Sequence, residues 1–226
     1  MNILALDSSD KVLSAALDAN GVVWYTEIES GSSHSELILE CADHLCRIAG
    51  FNQGGLNLVS CMKGPGSFTG LRIGFSTAKG LAMALGIPML AIPTLDCLAY
   101  PFSMWPGIVA PVIDAKKGCF FSALYRHGRR LTDYWDISPE LLAQELTKTK
   151  EFKEEPVLLT GGGAQLLYAK FGNFIPLEAI AVDHYYRSGR AKELLEIAKN
   201  DRFRQVNDTF SAPFYLRKSD AELNWN

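Results

Sequence analysis

The sequence predicts a mixed α/β fold built as two similar halves, and three observations predict it. The chain repeats itself: shifted by 107 positions, Ile3-Leu4-Ala5-Leu6-Asp7 falls on Ala110-Pro111-Val112-Ile113-Asp114, while Ala16, Leu17 and Gly21 fall on Ala123, Leu124 and Gly128, with no gap. Each half opens with three short apolar stretches separated by turn residues, the pattern of an antiparallel meander. After each meander, helices and strands alternate, as in a mixed α/β layer.

In the first half, Ile3–Asp7 is an apolar strand ended by Asp7. The turn Ser8-Ser9-Asp10-Lys11 follows, then two strands joined at Ala19-Asn20-Gly21. The opening residues lack a basic stretch and run at once into Asp7, so they read as a buried strand rather than a signal peptide. Ser33–Ile48 is an amphipathic helix with Leu37, Ile38, Cys41, Leu45 and Ile48 on one stripe. Leu56–Lys63 is a mostly buried strand, and Gly64-Pro65-Gly66 leads into a helix from Ser67 to Gly86, with Ser67 and Thr69 as N-cap candidates. A short strand, Pro88–Ile92, and a helix from Thr94 complete the half. The boundary falls near Phe102–Gly107, giving lobes 1–104 and 105–226.

The second half repeats the plan. A strand ends at Asp114, the turn Ala115-Lys116-Lys117-Gly118 follows, and two strands meet at Arg126-His127-Gly128. A helix runs from Ser138-Pro139 to Leu146, Val157–Thr160 is a strand, and Gly161-Gly162-Gly163 leads into the helix Ala164–Phe171. Ser188–Lys199 is a last helix, and the apolar residues of Ser211–Arg217 predict a tail that docks on the body.

The helix from Ser67 carries Gly70, Gly74, Ala78, Ala82 and Gly86 at every fourth position, a ridge of minimal side chains that another helix can approach closely. Ile73, Thr77, Leu81 and Leu85 lie beside it as the row expected to face the sheet. Each internal glycine costs about 1 kcal/mol of helix propensity against alanine, so packing or function must offset it.

Composition narrows the function classes. The formal charge is −3 with no long run of Lys or Arg, and the densest basic groups, Arg126–Arg130 and Arg202-Phe203-Arg204, are short. That argues against strong direct nucleic-acid binding, which needs several phosphate contacts from one basic face. The five cysteines are scattered, form no C-x-x-C pair and read as reduced core thiols of a cytoplasmic protein. No apolar run reaches the roughly 20 residues of a membrane span.

The candidate chemistry is sparse. The strand, glycine loop and helix make a phosphate-cradle geometry, but the pattern is neither G-x-x-x-x-G-K-[ST] nor G-x-G-x-x-G. Asp7, Ser8, Gly64 and Gly66, with Asp114, Gly161 and Gly162, are the candidates for a vestigial nucleotide site between the lobes. An Asp at a strand end can hold Mg²⁺ through water, or it can fix the following turn by accepting backbone N–H groups. Without a phosphate-binding lysine, the turn role is favoured. His34 has Ile38 at i+4, so no two-histidine metal face exists there, and a capping or surface role is expected. No Ser/His/Asp or Cys/His set can be assembled.

The two meander-plus-crossover halves, each with its strand-end Asp, resemble the duplicated ribonuclease H-like lobes of the actin and sugar-kinase (ASKHA) superfamily. The motifs Ile3–Ser9, His34-Ser35-Glu36-Leu37, Gly64–Gly74, Ile92-Pro93-Thr94-Leu95, Val112–Lys117 and Tyr215-Leu216-Arg217, in this order, resemble the TsaB (YeaZ) family. The likeness spans the chain; it is most specific in residues 1 to 117 and loose between Leu141 and Arg204. It implies a pseudo-enzyme paralogous to TsaD, in the cytoplasmic assembly that transfers the threonylcarbamoyl group of threonylcarbamoyl-AMP to adenosine 37 of tRNAs reading ANN codons. TsaD then supplies the chemistry, TsaE a P-loop ATPase and TsaC the activated donor. ATP and metal are expected on those partners and none on this chain. The resemblance also implies a heterodimer with TsaD, a ternary complex with TsaE, a homodimer when alone, and only indirect or weak contact with tRNA. The expected partner-facing residues are His34, Leu37, Ile38, Cys41 and Leu45 on one helix and Gly70, Leu71, Gly74, Phe75, Ala78 and Ala82 on the next. The alternatives are an ATP-dependent small-molecule kinase or carbamoyl transferase with an interlobe site and, more weakly, a chaperone-like or peptidase module.

Overall fold

A computed structural model of the protein describes residues 1–29, 33–148, 155–171, 174, 180–184, 189–200 and 207–217. It divides into two compact units, Met1–Cys97 with Ser188–Phe214, and Leu98–Arg187 with Tyr215–Asn226.

In the first unit, β1 (Ile3–Asp7), β2 (Val12–Ala19) and β3 (Val22–Glu29) form the expected antiparallel meander. Helix α1 (His34–Ile48) crosses to β4 (Leu58–Gly64), and α2 (Phe68–Leu85) crosses to β5 (Met89–Pro93), after which α3 (Thr94–Ala99) begins. The strands lie in the order β3-β2-β1-β4-β5, with β1, β4 and β5 parallel. Leu4 and Leu6 of β1 face the cluster built with α1 and α2, while Ile3 and Ala5 face the opposite side. A strand buried on both faces reads as a continuous apolar run, which is why its sequence shows no alternation.

The second unit repeats the plan with β6 (Ile108–Asp114), β7 (Phe120–Ser122), β8 (Tyr125–Arg126), β9 (Arg129–Arg130), β10 (Trp135–Ile137), α4 (Pro139–Lys148), β11 (Val157–Thr160), α5 (Ala164–Phe171) and β12 (Ile180–Val182). Its main path, β10-β7-β6-β11-β12, matches the first sheet strand for strand. Both sheets have the ribonuclease H-like order that the resemblance implies. The second meander is interrupted: β7 and β8 each pair with β6, and His127-Gly128 turns the small β8–β9 hairpin with both residues at positive φ.

The division at 104/105 needs one correction. Helix α6 (Ala191–Ala198) packs Leu194, Leu195 and Ile197 on Ile3, Ala16, Leu58 and Met62 of the first unit, covering the second buried face of its sheet. The tail docks as expected. Asp208 N–H donates to Met89 O at 2.7 Å, Ala91 N–H donates to Asp208 Oδ2 at 3.0 Å, and Phe214 N–H donates to Lys63 O at 2.7 Å. In the second unit, Arg217 grips both carboxylate oxygens of Asp136 at 2.6 Å. Ser188 and Arg202-Phe203-Arg204 lie outside the described residues.

Candidate functional site

The glycine loop and the β1–β2 turn meet at the head of the first unit. Ser67 caps α2, its Oγ accepting from Gly70 N–H at 3.3 Å, and Gly86 ends the helix at φ +66°. Ser67 N–H in turn donates to Ser9 O at 2.8 Å, and Ser8 Oγ donates to Gly70 O at 2.8 Å. A Cβ on Gly66 would lie 2.8 Å from Ser9 O, and one on Gly70 or Gly74 would overlap Ser8. Gly64, at φ +113°, is closed off by the backbone of Phe214. The cradle that a phosphate would enter is filled by the chain's own turn and tail.

Asp7 is fully buried and its two oxygens are engaged. Oδ1 accepts from Ser9 N–H at 2.9 Å and from Ser9 Oγ at 2.6 Å, and Oδ2 accepts from Arg190 N–H at 2.9 Å. Burial pushes its carboxyl above the usual carboxylate range, against the pull of those hydrogen bonds. Ser14 Oγ accepts from Ala191 N–H at 3.1 Å, so Asp7 and Ser14 together satisfy the start of α6. Sequence reasoning anticipated the Asp7–Ser9 turn but missed Ser14 and Arg190, because no local pattern signals bonds across 177 and 183 positions.

The second unit holds the equivalent residues in a looser setting. Gly163 N–H donates to Val112 O at 3.0 Å, a Cβ on Gly161 would lie 2.5 Å from Val112 O, and Gly162 is exposed. Asp114 accepts from Lys116 N–H at 2.8 Å and from Lys116 Nζ at 2.7 Å, which holds its carboxyl below the usual range. Asp7 has no open carboxylate oxygen for an Mg²⁺–nucleotide site, and both oxygens of the partly exposed Asp114 are engaged by Lys116.

The expected partner ridge is corrected outright. Gly70, Leu71, Gly74, Phe75, Ala78 and Ala82 are buried against this chain's own sheet and turn, and Ile73, Thr77, Leu81 and Leu85 flank them half-buried. Small residues let α2 sit close to β4 and Ser8; they do not await another helix. Likewise Ile38, Cys41 and Leu45 of α1 are core, and Leu37 is half-buried. His34 is neither exposed nor a cap: at 5% exposure, its Nε2 donates to Asp10 O at 2.8 Å, joining α1 to the β1–β2 turn. Between α1 and α2 lies a cavity of about 170 Å³ bordered by Leu39, Asp43, Cys46, Gln53 and Leu81. Cys61 and Cys97 are buried, and burial raises both thiols well above the ordinary value, the reverse of a reactive thiolate. Among the described residues no group of three or more His, Cys, Asp or Glu could hold a metal ion, and no helix is long and apolar enough to cross a membrane.

A model of the family described as "TsaD: tRNA N6-adenosine threonylcarbamoyltransferase" matches residues 29–225. The chain belongs to this family. Within the TsaD family it stands with the TsaB proteins. It is 29% identical over 231 residues to the Bacillus subtilis "tRNA threonylcarbamoyladenosine biosynthesis protein TsaB", covering 100% of this chain and 98% of that one. It is 33% identical over 128 residues to the Escherichia coli protein of the same name, covering 56% of this chain and 55% of that one. The solved structure "YeaZ from Pseudomonas aeruginosa" superposes with a TM-score of 0.80 at 26% identity, over 95% of this chain and 99% of that one.

Proposed function

We propose that this chain is a non-catalytic subunit of the cytoplasmic machinery that places threonylcarbamoyl on adenosine 37 of tRNA, and that it works by supporting TsaD. The observation that carries the reading is the filled cradle: Ser8, Ser9 and Phe214 occupy the space beside Gly64, Gly66, Gly70 and Gly74, and Asp7 spends its oxygens on Ser9 and Arg190. A paralogue of a transferase whose anion cradle is closed by its own backbone retains the fold and its surfaces as working parts. ATP and metal then sit on the partner subunits, TsaD and TsaE, with TsaC supplying threonylcarbamoyl-AMP. The flanks of α1 and α2 around Leu39, Asp43 and the half-buried Leu81 are the surface we assign to TsaD, since a largely apolar cavity rimmed by Asp43 and Gln53 suits an apolar anchor beside a polar or cationic group.

The test is reconstitution with TsaC, TsaD, TsaE and unmodified tRNA. The chain alone should neither bind ATP with Mg²⁺ in a calorimeter nor modify tRNA, and its omission should abolish modification by the others. Stoichiometric ATP binding, or turnover by the isolated chain, overturns the reading.

A further inference from the structure

The basic group Arg126–Arg130 folds as the β8–β9 hairpin of the second unit, and the fold neutralises only part of its charge. Tyr125 pairs with Arg130 and Arg126 with Arg129, so two arginines stand directly opposite each other, which like charge makes unfavourable. Glu155 resolves half of this. It accepts from Arg126 Nε at 3.0 Å and from Arg126 Nη2, spending both carboxylate oxygens on that one guanidinium. Arg129 is left over: it is exposed, and among the described residues none bonds to or pairs with its guanidinium. Arg130 is also exposed but is held in place. Its Nη1 donates to Thr132 O at 2.6 Å, and its guanidinium lies over the Tyr134 ring, 4.2 Å from the centroid. Asp133 lies 3.8 Å from Arg130 but is almost entirely exposed, where an ion pair contributes little. At the turn, a Cβ on Gly128 would lie 3.2 Å from Ser103 Cβ, so the hairpin is seated on its own unit and β9 carries its two cations on a fixed support.

We propose that the β8–β9 hairpin is an RNA contact, with Arg129 and Arg130 each taking one phosphate of the tRNA backbone. Successive residues of a strand point to opposite sides, so the two guanidinium groups serve two phosphates rather than one. Arginine's planar fork matches phosphate oxygens bidentately, and the Tyr134 stack orients one fork before binding, which lowers the ordering cost. A phosphodiester chain is the partner this arrangement fits, because it offers anions at regular spacing to cations on a protruding turn. Phosphate contacts position a nucleic acid without reading its sequence, a service that a non-catalytic subunit can give. Two contacts make an accessory grip, in keeping with a chain of formal charge −3, so the affinity belongs to the assembly rather than to the isolated subunit. The inference rests on the tRNA-modification reading and adds to it a direct contact with named residues.

The test is fluorescence anisotropy of labelled tRNA titrated with the complex of this chain, TsaD and TsaE, from about 50 to about 200 mM KCl. Arg129→Ala/Arg130→Ala should weaken binding about 10-fold at the low-salt end and reduce the slope of log affinity against log salt by about 1.5. Arg129→Lys/Arg130→Lys keeps both charges and should keep the slope. Asp133→Asn should tighten binding about twofold, a gain that a purely structural hairpin does not produce. Lys11→Glu, at an exposed site of the first unit, changes the net charge as much as the double alanine variant and should bind tRNA as wild type does. Size-exclusion chromatography of each complex checks that TsaD is retained. Wild-type affinity and slope in the double alanine variant, loss of TsaD in place of tRNA, weaker binding by Asp133→Asn, or an equal defect in Lys11→Glu would each overturn the inference. The modification assay separates it from the reading beneath it. Full modification without this chain brings down both; modification that requires the chain, with tRNA binding unaltered in the double alanine variant, brings down the inference alone.

Discussion

Gly74→Ala gives the sharpest test of where the small-residue face of α2 points. On a solvent-facing or open site the change is favourable by about 1 kcal/mol of helix propensity. At position 74 the new Cβ meets Ser8 Oγ inside the 3.0 Å that Cβ atoms tolerate, so Ser8 must rotate and surrender its 2.8 Å bond to Gly70 O. Overpacking costs about 1–3 kcal/mol and a stranded buried hydroxyl a similar amount, so after the propensity gain a net loss of about 1–5 kcal/mol remains. For a chain of this size each kcal/mol of that loss lowers Tm by about 2–4 °C. Two further variants make the logic closed. Ser8→Ala/Gly74→Ala removes the obstructing oxygen and leaves Ser8 Cβ at 3.8 Å, an ordinary contact, so the pair should be more stable than the sum of its single changes by about 1–2 kcal/mol. Gly80→Ala, where nothing lies within 4 Å, should stabilise by about 0.5–1 kcal/mol. The assay is urea unfolding of all four variants beside wild type. If Gly74→Ala matches Gly80→Ala and shows no coupling to Ser8, the buried-ridge reasoning is refuted.

Two other outcomes follow from the strand-end aspartates. Asp7→Ala strands Ser9 N–H, Ser9 Oγ and Arg190 N–H in the interior and should cost more than about 3 kcal/mol in urea unfolding, whereas Asp114→Ala removes an exposed pair with Lys116 and should cost less than about 1 kcal/mol. The two should also respond to acid with opposite signs: Asp7, raised above the ordinary 3.8, makes wild type gain stability relative to Asp7→Asn as pH falls through the window between its raised value and 3.8. Asp114, lowered, makes wild type lose stability relative to Asp114→Asn as pH falls from 3.8 through its lowered value. Parallel slopes for the two pairs would contradict the assigned environments.

Much of the fold was legible because its signals are local. Period and capping marked both ends of α2, Gly86 at one and Ser67, one of two cap candidates, at the other, and the glycine turns marked β4 to α2 and β11 to α5. The 107-residue repeat foretold two sheets of one topology. What sequence could not supply was direction. A row of Gly and Ala at every fourth position states that something comes close, and a helix partner and a serine turn satisfy it equally. The same limit applies to α6, whose amphipathic stripe says that it packs but not on which unit. Its anchor, the bond from Arg190 N–H to Asp7, joins residues 183 positions apart. His34 was misplaced for a related reason: a histidine at a helix start looks like a cap until the Asp10 carbonyl is found 2.8 Å from its Nε2.

Both halves have an Asp at the end of their first strand and a glycine turn after the parallel strand beside it, β4 or β11, yet the two aspartates sit in opposite environments. Asp7 is buried, raised and tied across the fold to the start of α6; Asp114 is partly exposed, lowered and tied within its own turn to Lys116. A site that clamps phosphates between equivalent hairpins needs both carboxylates open at once. In this chain each has been taken into a hydrogen-bond set that serves folding, Asp7 as a remote cap and Asp114 as a turn former. Asp7 therefore has a structural role that needs no nucleotide, and its presence in a sequence is no sign of catalysis unless the residues at 9 and 190 leave its oxygens free.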